Sequence, residues 1–127
     1  MLLNHVAFVC SSETLTDKFY NKVLGLKKIE SKVLSASLSK KIFDLDKEYQ
    51  IIKYGDDTIQ FEIFLTDEEP KQNLLNHICL KVKDLDQFLK KCNLMGVEIN
   101  KISKGESILI FVKDFDGNLF EIKERRL

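Results

Sequence analysis

Only two histidines, His5 and His77, occur in this 127-residue sequence. Arginine is equally scarce: Arg125 and Arg126 stand together near the C-terminus, which excludes an arginine-rich phosphate-binding stripe. Charge of one sign is missing too. Lys plus Arg and Asp plus Glu number 20 each, so the net charge is zero and nothing electrostatic favours nucleic acid or an anionic membrane. No apolar run approaches the length of a membrane span. The opening Met1–Asp17 stretch has no cationic leader and no small-residue cleavage site, so it does not read as a signal peptide and the expected location is cytoplasmic. The three cysteines, Cys10, Cys79 and Cys92, are odd in number and form no CxxC pair, which excludes a disulfide framework. Each is expected to be a small buried hydrophobe. With 44% hydrophobic residues, the chain can build one domain-sized core without cross-links.

What is present is an internal repeat. Leu3-Asn4-His5 followed by Val6-Ala7-Phe8 matches Leu75-Asn76-His77 followed by Ile78-Cys79-Leu80. Each run leads into a helix-like segment that stops at a glycine, Gly25 or Gly96. Later, Phe61-Glu62-Ile63 returns as Phe120-Glu121-Ile122. Four features thus recur in the same order: His on an apolar run, helix, Gly, Glu on an apolar run. The first copy is longer between Gly and Glu, with the extra material placed around Ser35–Lys47.

Local signals give each half the order β-α-β-β-β. Residues 2–10 read as a strand. Ser11 or Ser12 caps a helix with Leu15, Phe19 and Val23 on one face. Residues 36–45 read as a short additional helix, although Ile42, Phe43 and Leu45 also suit a strand. Asp84 and Gln87 form a capping-box pattern ahead of the stripe Leu85, Phe88, Leu89, Cys92 and Met95. Gly55-Asp56-Asp57 and Asp114–Gly117 are turn signals before the Glu-bearing strands, whose hairpin partners are residues 49–54 and 106–112. The expected organisation is one domain with a first module at 1–66, a linker at 67–74 and a second module at 75–127. Lys40-Lys41, Lys90-Lys91 and Asp67-Glu68-Glu69 read as solvated charge.

Strand side chains alternate between faces. His5 and Ala7 oppose Val6 and Phe8. Glu62 opposes Phe61 and Ile63. His77 and Cys79 oppose Ile78 and Leu80, and Glu121 opposes Phe120 and Ile122. The apolar faces belong under the helices, leaving the His and Glu faces for a concave side. A single His or Glu on a strand usually means only a solvated face. Here both histidines of the chain occupy equivalent repeat positions, and both copies return a Glu. That coincidence points to a divalent metal site formed by His5, Glu62, His77 and Glu121, a donor set suited to Zn, Ni, Co, Fe or Mn.

The segments Asn4–Phe8, Phe19–Leu26, Asn76–Leu80 and Phe111–Ile122 resemble the vicinal oxygen chelate superfamily of glyoxalase I, bleomycin- and fosfomycin-resistance proteins and extradiol dioxygenases. The resemblance implies an α+β fold of two β-α-β-β-β modules forming a paired, curved mixed sheet around a metal cleft. Glu62 makes the chain similar to bacterial glyoxalase I, which implies His5, Glu62, His77 and Glu121 as ligands. The activity implied is that of a lactoylglutathione lyase-like enzyme, acting on a small molecule such as a hemithioacetal of a 2-oxoaldehyde and a thiol. The metal, Ni or Co first, then Zn, Mn or Fe, would stabilise an enediolate, with Glu121 as the base. Epimerase, thiol-transferase and dioxygenase activities belong to the same superfamily, and a metal-free ligand-sequestering protein is the alternative of another class. Glutathione-using relatives carry Arg and Asn where this chain has Val9 and Thr66, which argues for a different thiol. Short relatives also imply a homodimer.

Overall fold

A computed structural model describes residues 2–68 and 74–125. The chain divides into two compact units, Met1–Pro70 and Lys71–Leu127. The first contains β1 (Val6–Cys10), α1 (Glu13–Thr16) with a π-helical continuation over Asp17–Val23, β2 (Lys27–Leu34), α2 (Ala36–Phe43), β3 (Tyr49–Gly55) and β4 (Gln60–Leu65). The second contains β5 (His77–Val82), α3 (Leu85–Leu94), β6 (Ile99–Lys104), β7 (Ser107–Lys113) and β8 (Leu119–Glu124). Each forms a four-stranded sheet, ordered β1-β4-β3-β2 and β5-β8-β7-β6. In both, the first strand runs parallel to the last and the other neighbours are antiparallel. The β-α-β-β-β repeat is therefore present twice, and α2 is the extra material of the first copy. Of the 67–74 linker, residues 69–73 lie outside the described residues, as do Met1 and 126–127.

The helices form for local reasons. The Ser12 hydroxyl accepts from the Leu15 amide, Ser35 from Leu38 and the Asp84 carboxylate from Gln87, so each helix start has a side-chain cap. At Gly25 and Gly96 φ is +74° and +76°, the left-handed conformation in which a helix stops at little cost only with glycine. The Asp56 carboxylate collects the Thr58 and Ile59 amides and the Thr58 hydroxyl, closing the turn into β4. Those amides hold Asp56 below the usual carboxylate range, outweighing partial burial. Asp114 plays the same part before β8: it accepts from the Asp116 and Asn118 amides and from the Asn118 side chain.

The apolar faces make the two cores. In the first unit Phe61, Ile63, Ile52 and Tyr54 are fully buried beneath Phe19, Tyr20 and Val23. Tyr20 stacks on Tyr54 with ring centres 5.5 Å apart and tilts against Phe61 at 5.5 Å. Tyr54 donates to Asp17 Oδ1 at 2.6 Å, and burial, reinforced by that bond, pushes the phenol pKa up. In the second unit Phe88, Leu89 and Cys92 of α3 and Val112, Phe120 and Ile122 of the sheet are buried.

Three local expectations need correction. The first strand begins at Val6, not at residue 2, so His5 stands one residue ahead of it. Its ladder partner β4 starts at Gln60 and pairs Phe61 with Val6, which leaves residues 2–4 without a ladder partner on β4. The helix after Ser12 is α-helical for one turn only; the Leu24 amide then bonds back five residues to Phe19. That wider turn still buries the adjacent Phe19 and Tyr20, while Leu15 is exposed. Cys10 and Cys92 are buried, but Cys79 is exposed, because it lies on the polar face of β5 rather than under α3.

Candidate metal centre

In each unit the parallel pair of strands brings one His to one Glu. Glu62 is the register partner of Ala7, two residues after His5; Glu121 is the partner of Cys79, two residues after His77. Two residues along a strand return a side chain to the same face, so each His and Glu meet diagonally. His5 Nε2 lies 3.3 Å from Glu62 Oε2, and His77 Nε2 lies 3.8 Å from Glu121 Oε2. The exposures match as well: 40% and 41% for the imidazoles, 13% and 16% for the carboxylates. Both pairs are sheltered at the acid and open at the ring.

The far nitrogen of each ring is also engaged. His5 Nδ1 is 3.0 Å from Asn4 Oδ1, and His77 Nδ1 is 2.9 Å from the Leu75 carbonyl oxygen. Both partners are acceptors, so Nδ1 carries the proton and donates. Nε2 of each ring then faces a carboxylate oxygen, and without a proton it would present its lone pair to that oxygen. Two acceptors so placed need a cation between them, either a second ring proton or a metal ion. An imidazole with Nδ1–H tied to an oxygen and Nε2 directed at the site is the arrangement that metal-ligating histidines adopt. The donor chemistry of each half therefore fits a divalent ion. Among the described residues of each half, no third metal-ligating side chain joins the pair.

The flanks of the two acids differ. Glu62 has Lys32 and Lys53 ammonium groups, each 3.8 Å from Oε1, and Lys53 also lies 3.9 Å from Glu30. Glu121 sits between Cys79 and Phe111 on the neighbouring strands, with Lys123 at 3.9 Å. Phe111 packs edge-on to His77 at 5.9 Å. Burial, followed by the Glu121 charge, raises the Cys79 thiol pKa. Sequence reading gave Asn4, Lys32, Lys53 and Phe111 no role at the site. Lys53 and Phe111 become visible only with strand register, as the β3 and β7 partners of the two acids.

Two β-α-β-β-β units, each with a His and a Glu on the polar face of a parallel strand pair, define a class of proteins. The model of the Glyoxalase/Bleomycin resistance protein/Dioxygenase superfamily matches residues 2–122, and the chain belongs to this superfamily, the vicinal oxygen chelate proteins. Among solved structures it is similar to the fosfomycin resistance protein FosX of Listeria monocytogenes. The TM-score is 0.73 at 22% identity, over 98% of this chain and 94% of that one. FosX of Mesorhizobium loti gives 0.71 at 17% identity over 98% and 92%. A glyoxalase family protein of Enterococcus faecalis gives 0.72 at 22% identity over 94% of both chains. At these identities the likeness carries the fold. No curated protein matches the sequence.

Proposed function

We propose that this protein is a metal-dependent lyase or isomerase of the glyoxalase I type, acting on a substrate with two vicinal oxygens. The hemithioacetal of a 2-oxoaldehyde and a thiol is the model substrate. His5, Glu62, His77 and Glu121 are the ligands, and Ni or Co is the preferred ion, ahead of Zn, Mn or Fe. The observation that carries the reading is the twofold pairing of a tautomer-fixed imidazole with a sheltered carboxylate. The Listeria FosX protein, solved in complex with Mn(II) and sulfate, is a fold relative that holds a divalent metal.

When bound, the ion supplies Lewis-acid polarisation of the two substrate oxygens. The chain's own residues do the rest. The imidazoles orient the site through their fixed tautomers. Glu121 carries the proton between adjacent carbons, the role that the family resemblance favours; one lysine attends it where two attend Glu62. The few arginines argue for a thiol less anionic than glutathione. The active form is a homodimer with two equivalent sites.

The test is metal analysis of purified protein, followed by methylglyoxal consumption with a panel of thiols after loading with Ni, Co, Zn or Mn. Near-stoichiometric metal and turnover that Glu121→Gln abolishes are expected. No turnover with any metal and thiol refutes the glyoxalase reading. Fosfomycin consumption by the Mn form instead would place the protein with the FosX chemistry. A monomer at micromolar concentration by light scattering refutes the dimer.

A further inference from the structure

The polar face of the first sheet changes character along its strands. At one end lie His5, Glu62 and Lys53, and the Lys32 ammonium reaches back to Glu62 from its place opposite Ile51. Two residues on, the same face is apolar: Val9 on β1, its register partner Phe64 on β4, and Ile51 beside it on β3. The insertion α2 and the chain just after it reach this end. Asp44 takes a left-handed conformation (φ +60°), clamped by Lys40 at 2.6 Å, and turns the chain between Phe43 and Leu45. Phe43 and Tyr49 both meet the Phe64 ring edge-on, at 5.6 and 6.2 Å.

Together Ala7, Val9, Phe43, Leu45, Tyr49 and Phe64 line a cavity of about 290 Å³. It is about twice the size of the engineered cavity of roughly 150 Å³ known to accept benzene. Ala7 links it directly to the candidate ligands, because Ala7 is the register partner of Glu62. At the opposite rim Lys47 is engaged with Glu68 at 3.3 Å and Thr66 at 3.4 Å and lies over the Tyr49 ring. At that rim the Lys47 ammonium is already paired with the Glu68 and Asp67 carboxylates. The ammonium groups of Lys32 and Lys53 are at the other end, beside Glu62. Phe43 and Leu45 are still about half exposed, apolar surface that a ligand would cover.

We propose that this cavity is the tail subsite of the active site, and that the substrate is amphipathic. An oxygen-rich or anionic head lies at Glu62 and the lysines, and an aryl or medium-chain alkyl group lies against Phe64 and Phe43. The inference rests on the metal-site reading and adds the substrate class to it. A small, wholly polar molecule such as a short phosphonate leaves the cavity empty. An apolar pocket with a few convergent polar groups at one end is the usual form of a small-molecule site.

The test uses the full chain without added metal and three carboxylates: acetate, benzoate and 2-naphthoate. Calorimetry should show affinity rising with ring size, with 2-naphthoate bound about 30-fold or more tighter than acetate. Phe43→Asp and Leu45→Asp, both at half-exposed positions, should each weaken 2-naphthoate at least about 10-fold, with thermal melts to confirm that each variant is folded. Proton NMR should show contacts from naphthyl protons to the Phe64 and Tyr49 rings. Equal affinity for the three acids overturns the proposal, as does indifference to both substitutions. A dimer that excludes 2-naphthoate also overturns it, since a second copy would then occupy the cavity. Metal uptake without naphthoate binding refutes the subsite alone, and the reverse result refutes the metal alone.

Discussion

The two histidines hold their rings by different means, and the difference makes a sharp prediction. His5 Nδ1 donates to the Asn4 side chain, whereas His77 Nδ1 donates to the Leu75 backbone carbonyl. The repeat-equivalent residues Asn4 and Asn76 should therefore behave differently. Asn4→Ala removes the acceptor that fixes the His5 tautomer. The ring can then rotate and place its proton on either nitrogen, and part of the population turns N–H toward Glu62. Loss of such a partner typically costs about 10- to 100-fold in metal affinity. His5 is 40% exposed, so water can replace the lost acceptor, and the effect belongs at the lower end. We expect Asn4→Ala to weaken Ni or Zn binding by about 10-fold, equivalent to about 1.4 kcal/mol.

Asn76→Ala leaves the Leu75 carbonyl in place and should change affinity by less than about twofold. Competition titration against a chromophoric chelator measures both, with thermal melts of the apo proteins to confirm that the fold is intact. If Asn4→Ala has no effect on affinity, or if both substitutions weaken it equally, the tautomer argument is wrong and the Asn4 contact is incidental.

Tyr54→Phe removes the buried bond to the Asp17 carboxylate and should destabilise the protein by about 1.5 kcal/mol in urea unfolding; Lys28 still pairs with Asp17, which keeps the loss at the low end for a charged acceptor. A change below about 0.5 kcal/mol would show that water reaches the site. Asp56→Asn should lower stability at neutral pH, and the difference from wild type should shrink with acid. The folded pKa of Asp56 lies below its ordinary 3.8, so its contribution is complete above that value and is lost as pH falls through the depressed one. A gap between the two proteins that widens with acid in pH-dependent melts would reverse that sign. Iodoacetamide at pH 8 should label Cys79 first, because it is exposed, while Cys92 is fully buried with its pKa pushed up to about 11 by that burial. Peptide mapping that finds Cys92 labelled first would contradict the packing of α3.

Much of this architecture is legible in the residue order because pleat alternation and helix punctuation are local. Phe61-Glu62-Ile63 states its two faces by itself, and Gly25 and Gly96 mark helix ends through a backbone conformation that other residues resist. The π-helical turn is not legible, because Leu15, Phe19 and Val23 at four-residue spacing suit an α-helix equally well. The late start of β1 is hidden for another reason: where a strand begins depends on the length of its partner, which comes more than fifty residues later. Cys79 shows the limit of composition. A small apolar side chain says nothing of its face, and only the alternation with Ile78 and Leu80 places it beside Glu121. The flanks of the candidate ligands are least visible, since Lys53 and Phe111 reach the acids across an antiparallel register that no short motif encodes.

The two units agree in their His–Glu pairs and differ in the residues that flank them. His–Glu separation, carboxylate shelter and the oxygen on Nδ1 are near-equivalent in both. Around them, Ala7 and Lys53 flank Glu62, and Cys79 and Phe111 flank Glu121. A metal ion constrains its donors to a narrow geometry and leaves their neighbours free. The proposed function therefore assigns the shared pair to metal binding and the divergent flanks to substrate. α2 sharpens the division, because it occurs only in the first unit and walls the apolar cavity beside Glu62. In the function proposed above, the first unit would carry the determinants of the substrate tail and Glu121 of the second would carry the proton. Exchanging Lys53 for Met should then raise KM for an anionic substrate more than it lowers kcat, whereas Glu121→Gln should abolish kcat. Steady-state kinetics that show Lys53→Met acting on kcat alone would overturn this division of labour.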